Sequence, residues 1–145
     1  MVSIIISGHG QFSLGLLDAF EMIFGKDADV RAIPFFKGEG LPQMQEKFQQ
    51  TIEQIEPTKE VLILVDVFAG TPYNAASQIA YQNERVDILT GVNLPILLEA
   101  AAAKEQLNLI QLIEKLKQVA VDSHKNFRSV LAKSAKTDDE EEDLL

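Results

Sequence analysis

The sequence predicts an α/β domain built on a doubly wound, mostly parallel sheet. Two features of the chain support this prediction: four short, nearly continuous apolar runs stop at polar or turn residues, and segments with apolar spacings near 3.6 lie between them. Strands that are apolar along their whole length are typical of a parallel sheet covered on both faces, because each right-handed crossover packs its helix back onto the sheet. The 145 residues are long enough for one such domain.

The strands are predicted at residues 2–7, 30–35, 61–66 and 86–90, where β-branched and apolar residues dominate. Helical spacing then follows each strand. It joins Leu14, Leu17, Phe20 and Phe24, next Met44, Phe48, Ile52 and Ile55, and next Ala75, Ala76, Ile79 and Ala80. Two more helices are predicted at residues 94–104 and 109–121, the first of them capped by Asn93. A short late strand is predicted at residues 127–131.

The charge is unevenly distributed along the chain. Of 22 acidic residues, six lie among the last eight positions, so the rest of the chain carries 13 basic and 16 acidic residues and a net charge of only −3. We therefore divide the chain into a folded domain, residues 1–135, and an acidic, disordered, solubilising tail, residues 136–145. The absence of a basic patch argues against nucleic-acid binding.

Composition also excludes several kinds of site. The chain has no cysteine, and its two histidines lie 115 positions apart, so thiol chemistry, iron-sulfur clusters and a histidine-based metal site are not expected. Neither a Rossmann glycine motif nor a Walker P-loop is present, and we expect no cofactor. No apolar run approaches the roughly 20 residues of a membrane span, and the N-terminus lacks a signal-peptide pattern, which predicts a cytoplasmic protein.

His9 is the first candidate for chemistry, because it lies between two glycines where the first apolar run stops. Ligands of open parallel sheets bind at the carboxyl ends of the strands, and the flanking glycines allow another molecule to approach closely. A helix is predicted to begin near Phe12, so the free N–H groups around Gly10, Gln11 and Phe12 would favour an anion such as phosphate beside the ring. A polar loop histidine hydrogen-bonded locally is the equally weighted alternative.

Asp66 closes the third apolar run with a carboxylate. If the first and third strands are neighbours, Asp66 lies beside His9, where it would accept Nδ1–H, fix the tautomer and leave Nε2 as the nucleophile. The alternative is a strand-end residue that caps the following loop. From these residues alone both interpretations remain open.

Thr71 and Pro72 have the form of a helix N-cap followed by proline at the first helical position. Capping alone accounts for the pair. The same helix start would point to the carboxyl edge of the sheet, so the Thr71 hydroxyl is also a candidate contact for a phosphoryl group on His9.

Three segments together resemble the enzyme IIA component of the mannose family of the bacterial phosphoenolpyruvate:sugar phosphotransferase system (PTS). They are SGHG near the N-terminus, VDVFAGTPYNAA, which contains a D-x-x-x-G-[ST]-P-x-N-A-A pattern, and GVNLP. The resemblance covers about residues 1–131 in order and spacing. A single motif would be weak, whereas the histidine at a strand end together with the second pattern is specific.

The resemblance implies a phosphotransferase relay. His9 would accept a phosphoryl group from the histidine-phosphorylated carrier HPr and pass it to a IIB component, with IIC and IID membrane components downstream; Asp66 would orient the ring, and Thr71 would help hold the phosphoryl group. It also implies a sheet of order 2-1-3-4 in a homodimer that exchanges an antiparallel C-terminal strand, for which residues 127–131 are the candidate. The chain is expected to be a free-standing IIA subunit, whose sugar, a hexose, amino sugar or gluconate, cannot be deduced from a carrier that never touches it.

Two other functions compete with this one. The phosphoryl-donor subunit of a dihydroxyacetone kinase system shares the fold and the reactive histidine but lacks the helix start of residues 70–76. A regulatory binding module such as a receiver domain would need clustered acids and magnesium beside the first strand, and this strand ends instead in Ser7, Gly8 and His9.

Overall fold

The computed structural model describes the backbone of residues 1–144 and the side chains of residues 1–136. Its sheet has four parallel strands in the order β2-β1-β3-β4. The strands are β1 (Val2–His9), β2 (Val30–Phe35), β3 (Glu60–Val65) and β4 (Val86–Thr90). The predicted α/β class, the strand order and the adjacency of the first and third strands are confirmed.

Six helices follow along the described chain. They are α1 (Phe12–Phe24), α2 (Leu41–Glu53), α3 (Thr71–Gln82), α4 (Leu94–Ala103), α5 (Leu109–Asp122) and α6 (Phe127–Leu144). Helices α1, α4 and α5 cover one face of the sheet, and α2 and α3 cover the other. Because successive strand residues point to opposite faces, Ile4 and Ile6 pack in the first layer and Ile5 in the second. All three are fully buried, each contributing on the order of 2 kcal/mol of hydrophobic stabilisation.

The carboxyl edge of the sheet brings together three strand ends. β1 is two residues longer than predicted and ends at His9, which lies opposite Phe35, the last residue of β2. β3 ends at Val65, so Asp66 is the first residue beyond it. Asn93 caps α4 as predicted, its side chain accepting a hydrogen bond from Ile96 N–H at 2.9 Å.

The predicted strand at residues 127–131 is wrong, because this segment forms the first turns of α6. Asn126 accepts a hydrogen bond from Ser129 N–H at 3.0 Å, as a helix N-cap does, and Phe127, Val130 and Leu131 have helical rather than alternating spacing. These residues therefore supply no exchanged strand here. The predicted boundary at residue 135 falls inside α6, and the disorder of the acidic tail stays a prediction.

A bilayer crossing requires a helix that is both long and apolar, and none of the helices in the described part of the chain meets both conditions.

Candidate functional site

His9 and Asp66 meet at the carboxyl edge of the sheet. The two atoms His9 Nδ1 and Asp66 Oδ2 lie 2.7 Å apart, and the His9 backbone N–H donates to the same oxygen at 3.0 Å. The other carboxylate oxygen accepts a hydrogen bond from Val67 N–H at 2.9 Å. Three donors therefore fix the carboxylate, and the carboxylate fixes the ring.

The charge of Asp66 determines which imidazole nitrogen is free. Burial raises the pKa of this carboxyl, but the hydrogen bonds from the His9 backbone and ring and from Val67 N–H outweigh burial, and the pKa lies below its ordinary value of 3.8. An ionised carboxylate only accepts hydrogen bonds, so the shared hydrogen belongs to His9 Nδ1. In the neutral ring, Nε2 then carries the lone pair.

The ring is accessible on the side away from Asp66. The His9 side chain is 50% exposed, whereas that of Asp66 is 15% exposed. A half-exposed ring whose inner nitrogen is bonded and whose outer nitrogen has a lone pair is suited to nucleophilic attack on a partner's group. This arrangement favours a reactive histidine over one that is merely hydrogen-bonded locally.

Gly70 lies against the free nitrogen. A Cβ atom at this position would be 2.7 Å from His9 Cε1 and 3.3 Å from Nε2, so only glycine permits this approach without displacement. The preceding Ala69 has a left-handed φ of 63°, uncommon for alanine, and its carbonyl accepts a hydrogen bond from the Asn74 side chain at 3.2 Å. Sequence reasoning missed Gly70, although its place in the quoted motif, directly before Thr71, was the signal.

Thr71 is not the N-cap of α3, as the sequence predicted. Gly70 takes that position with an extended backbone, and Thr71 and Pro72 are the first and second helical residues. The first turn of a helix has backbone N–H groups without helical acceptors, and it carries the positive end of the dipole. Thr71 thus stands in the turn that begins beside His9 Nε2, with no capping role to occupy its hydroxyl.

The segment after His9 contributes a second helix start. Gln11 is the N-cap of α1 and makes no side-chain capping bond, and Phe12 is the first helical residue. The first intrahelical hydrogen bond runs from Gly15 N–H to the Gln11 carbonyl. The N–H groups of the residues before Gly15 therefore have no acceptor within the helix. Gly10 differs from the prediction, because its N–H donates to the Phe35 carbonyl at 2.7 Å and is therefore committed within the chain.

Phe35 borders the imidazole from the neighbouring strand, and sequence reasoning missed it as well. Its ring centroid lies 5.6 Å from that of His9 with the planes 78° apart, an edge contact. Because β2 and β3 flank β1 on opposite sides, Phe35 and Asp66 reach His9 from two different strands. Nothing in the residues around Phe35 distinguishes it from an ordinary strand-end aromatic.

Exposed apolar side chains follow the strand ends at this edge of the sheet. Phe12 and Phe36 are about two-fifths exposed, Val67 is half exposed and Phe68 is 71% exposed, with its ring 4.8 Å from that of Tyr73. We call Phe12, Phe36, Val67 and Phe68 the apolar rim. Large exposed apolar side chains grouped beside a reactive residue are typical of a surface that receives another protein.

No group of three or more histidine, cysteine, aspartate or glutamate side chains within residues 1–136 is arranged to hold a metal ion.

The comparisons with known proteins agree with this geometry. The EIIA-man family, described as "PTS system fructose IIA component", matches residues 3–117. A PTS system fructose-specific EIIA component of Bacillus subtilis is 44% identical over 146 residues, covering 99% of this chain and 100% of that protein. A PTS system mannose-specific EIIAB component of Escherichia coli is 36% identical over 104 residues, covering 72% of this chain and 32% of that longer protein.

Solved structures give the same result. The crystal structure of phosphotransferase system component EIIA from Streptococcus agalactiae superposes with a TM-score of 0.83 at 28% identity, covering 89% of this chain and 99% of that one. A PTS IIA protein associated with the fucose utilization operon of Streptococcus pneumoniae gives a TM-score of 0.76 at 27% identity. The chain therefore belongs to the EIIA-man family, the mannose-family EIIA phosphoryl carriers that act as phosphotransferase relay proteins of the PTS.

Proposed function

We propose that His9 Nε2 accepts a phosphoryl group from phosphorylated HPr and passes it to a IIB component. The observation that carries the proposal is the 2.7 Å contact between His9 Nδ1 and the Asp66 carboxylate, which leaves Nε2 with its lone pair on a half-exposed ring. Transfer between two proteins requires a nucleophile that a second surface can reach, and His9 meets that requirement.

In the proposed step the Nε2 lone pair forms a bond to phosphorus while the bond from phosphorus to the donor histidine breaks. The leaving nitrogen keeps that electron pair. The His9 ring becomes positively charged as the new bond forms, and its Nδ1 proton stays in the hydrogen bond to Asp66, whose negative charge stabilises the ring. Transfer to IIB is the same step in reverse, with the acceptor's nucleophile attacking the phosphorus.

The phosphoryl oxygens would lie between two helix starts. Thr71 and its N–H in the first turn of α3 would bind from one side, and the first turn of α1, at Gln11 and Phe12, from the other. Gly10 would contribute through its backbone conformation, with a φ of 59°, since its N–H is used by Phe35. Positioning and charge stabilisation account for most of the catalysis of such transfers.

The partners follow from this role. The apolar rim supports docking of HPr and IIB in turn over the same histidine, and the IIC and IID membrane components would be served only through IIB. We also propose a cytoplasmic homodimer. The large exposed fractions of Phe127, Val130 and Leu131 on α6, 70%, 47% and 49%, support an interface with a second copy.

The proposal also extends to the sugar that the system served by this carrier transports. A hexose, amino sugar or gluconate system would suit this carrier. Two relatives are named fructose-specific and sorbose-specific EIIA components, at 44% and 31% identity, which makes a ketohexose the first candidate. Permeabilised cells with and without this chain should differ in phosphoenolpyruvate-dependent phosphorylation of fructose if that candidate is correct, and equal activity would exclude fructose.

The deciding experiment mixes the purified chain with enzyme I, HPr and phosphoenolpyruvate and follows its intact mass. We expect a gain of one phosphoryl group that is labile in acid and maps to His9. The matched control is His9→Ala, which should take up nothing while it retains the fold by circular dichroism. Uptake by His9→Ala would overturn the site, and no uptake by the wild-type chain would return it to the binding-module alternative.

A further inference from the structure

The end of β2 forms one wall of the site, although it lies at the edge of the sheet. Beyond the strand register, Gly10 N–H donates to the Phe35 carbonyl at 2.7 Å, and the Phe35 ring contacts the imidazole by its edge. The Gly10 backbone, next to His9 in the chain, and the Phe35 ring, which contacts the imidazole, therefore both depend on where β2 ends. An edge strand has no neighbour on its outer side to hold it there.

Lys47 of α2 supplies that missing support. Its ammonium donates to the Pro34 carbonyl at 3.0 Å and pairs with the Glu39 carboxylate at 2.7 Å. The same ammonium lies 5.2 Å from the centre of the Phe36 ring. Its side chain is only 32% exposed, so these contacts are partly shielded from water.

Glu39 completes the connection from the loop side. It accepts a hydrogen bond from Phe36 N–H at 2.8 Å, and its own N–H donates to the Phe36 carbonyl at 3.2 Å. Lys47 therefore fixes both the last strand residues and the turn that follows them. We call Lys47, Glu39 and the backbone of Pro34 and Phe36 the β2 clamp.

We propose that Lys47 is a positioning residue, which through the β2 clamp holds Phe35 and Gly10 where they present His9 Nε2 to the phosphoryl donor. This inference rests on the proposed role of His9 as acceptor. Lys47 touches neither the imidazole nor any atom that would be transferred. Its effect is to limit the movement of the wall beside the ring, and displacements near 1 Å at a transfer site can cost on the order of 100-fold in rate.

The test compares Lys47→Met with Lys47→Arg, which keeps the cation, and with Lys115→Met as a matched control. Lys115 also pairs with a carboxylate, Glu99 at 2.9 Å, but lies on α5 away from the site. Phosphoryl uptake is measured against phosphorylated HPr concentration, and the His9 ring nitrogens are followed by 15N NMR without any donor. Thermal unfolding of each variant reports simple destabilisation.

We expect Lys47→Met to lower the maximal uptake rate about 10-fold, with little change in the HPr concentration needed for half that rate. Its His9 Nδ1–H signal should shift or broaden. Lys47→Arg should recover most of the rate, and Lys115→Met should leave rate and spectrum unchanged. An unchanged spectrum and rate in Lys47→Met would overturn the inference, as would a change only in the HPr dependence, which would make Lys47 a docking residue. If the wild-type chain takes up no phosphoryl group, the proposed function fails, and the NMR comparison still decides the positioning role.

Discussion

The two edges of the sheet each carry an aspartate of nearly the same exposure, and the two have different consequences. Asp66 at the carboxyl edge is 15% exposed, and Asp29, just before β2 at the amino edge, is 16% exposed. In both, burial raises the carboxyl pKa but hydrogen bonds and charges outweigh it, so that each pKa lies below its ordinary value of 3.8. The carboxylates alone therefore do not distinguish a structural site from a reactive one.

The partners make the difference. Asp29 accepts hydrogen bonds from Ser3 and from Arg31, the latter at 3.0 Å, and has Lys59 and Lys104 within 3.5 and 3.9 Å. Ammonium and guanidinium groups only donate hydrogen bonds, so the partners of Asp29 offer no nucleophilic nitrogen, and Lys104 is only 7% exposed. Asp66 instead pairs with an imidazole that is half exposed and retains a free nitrogen. An aspartate paired with lysines and arginine suits a structural role, whereas one paired with an open histidine suits the nucleophile proposed for His9.

The substitution Asp66→Asn should have the largest effect on phosphoryl transfer. An amide can offer N–H to His9 Nδ1 and so favour the tautomer that places the hydrogen on Nε2. Loss of an orienting aspartate in a triad lowers rates by about 10⁴-fold, and we expect roughly 10³-fold here, by rapid-quench measurement of uptake. Asp29→Asn is the control and should transfer at the wild-type rate. Nearly equal rates in the two variants would show that the two aspartates do not differ in their importance for transfer.

The substitution Asp29→Ala should lower the stability of the fold and leave phosphoryl transfer unchanged. Removing the central anion leaves Arg31, Lys59 and Lys104 facing one another with only Asp27 nearby, 3.3 Å from Lys104. Because the network is partly buried, its loss should cost about 2 kcal/mol in free energy of unfolding, between the values for exposed and for fully buried pairs, which urea denaturation would measure. Phosphoryl uptake at low denaturant should not change. A loss under about 1 kcal/mol would mean that the network contributes no more than exposed ion pairs do.

A third variant, Gly70→Ala, tests the open side of His9 alone. The new methyl would overlap His9 Cε1 and take up space beside Nε2, while the Asp66 contact remains. We expect the uptake rate to fall about 10-fold to 100-fold with the fold intact. Gly15→Ala is the matched control, since a Cβ there meets nothing within 4 Å and a helical alanine adds about 0.5–1 kcal/mol of stability. Normal uptake by Gly70→Ala would show that the phosphoryl group does not need this space.

The sequence predicted the two site residues that are marked by the pattern of their immediate neighbours. His9 and Asp66 each end an apolar run, and the strand order brings two such ends together whatever the loops do. The same reasoning assigned the cap of α3 to Thr71, because hydroxyl side chains usually cap helices, whereas Gly70 caps it through an extended backbone. Residues 127–131 show a further limit, since the strand prediction there overlooked the cap at Asn126.

The contacts of the β2 clamp and of the Asp29 network could not be predicted in this way. They join residues that are far apart in the sequence and ordinary in type. Lys47 reaches Pro34 across 13 positions, and Arg31 reaches Ser3 across 28. A lysine on a predicted helix gives no sign of whether it faces water or a strand end. Only the packing of α2 against the edge of the sheet determines that the Lys47 ammonium meets a free carbonyl.

The smallest predicted effect is a dependence on pH. Both aspartates should affect the stability of the fold at acid pH, but only Asp66 should affect His9. Both aspartates have a folded-state pKa below the ordinary 3.8, so their contributions to the free energy of unfolding are complete well above that value and are lost as the pH falls through the folded-state pKa. Asp29→Asn and Asp66→Asn should each reduce the steepness of the decline below pH 4, by at most about 1.4 kcal/mol per pH unit. The His9 Nδ1–H NMR signal, which reports the contact with Asp66, should show the step caused by protonation of Asp66 only below the ordinary value of 3.8. In Asp29→Asn that step should persist, and in Asp66→Asn it should disappear. If the step disappeared in Asp29→Asn instead, the amino edge would be coupled to the site and the division between the two edges would be wrong.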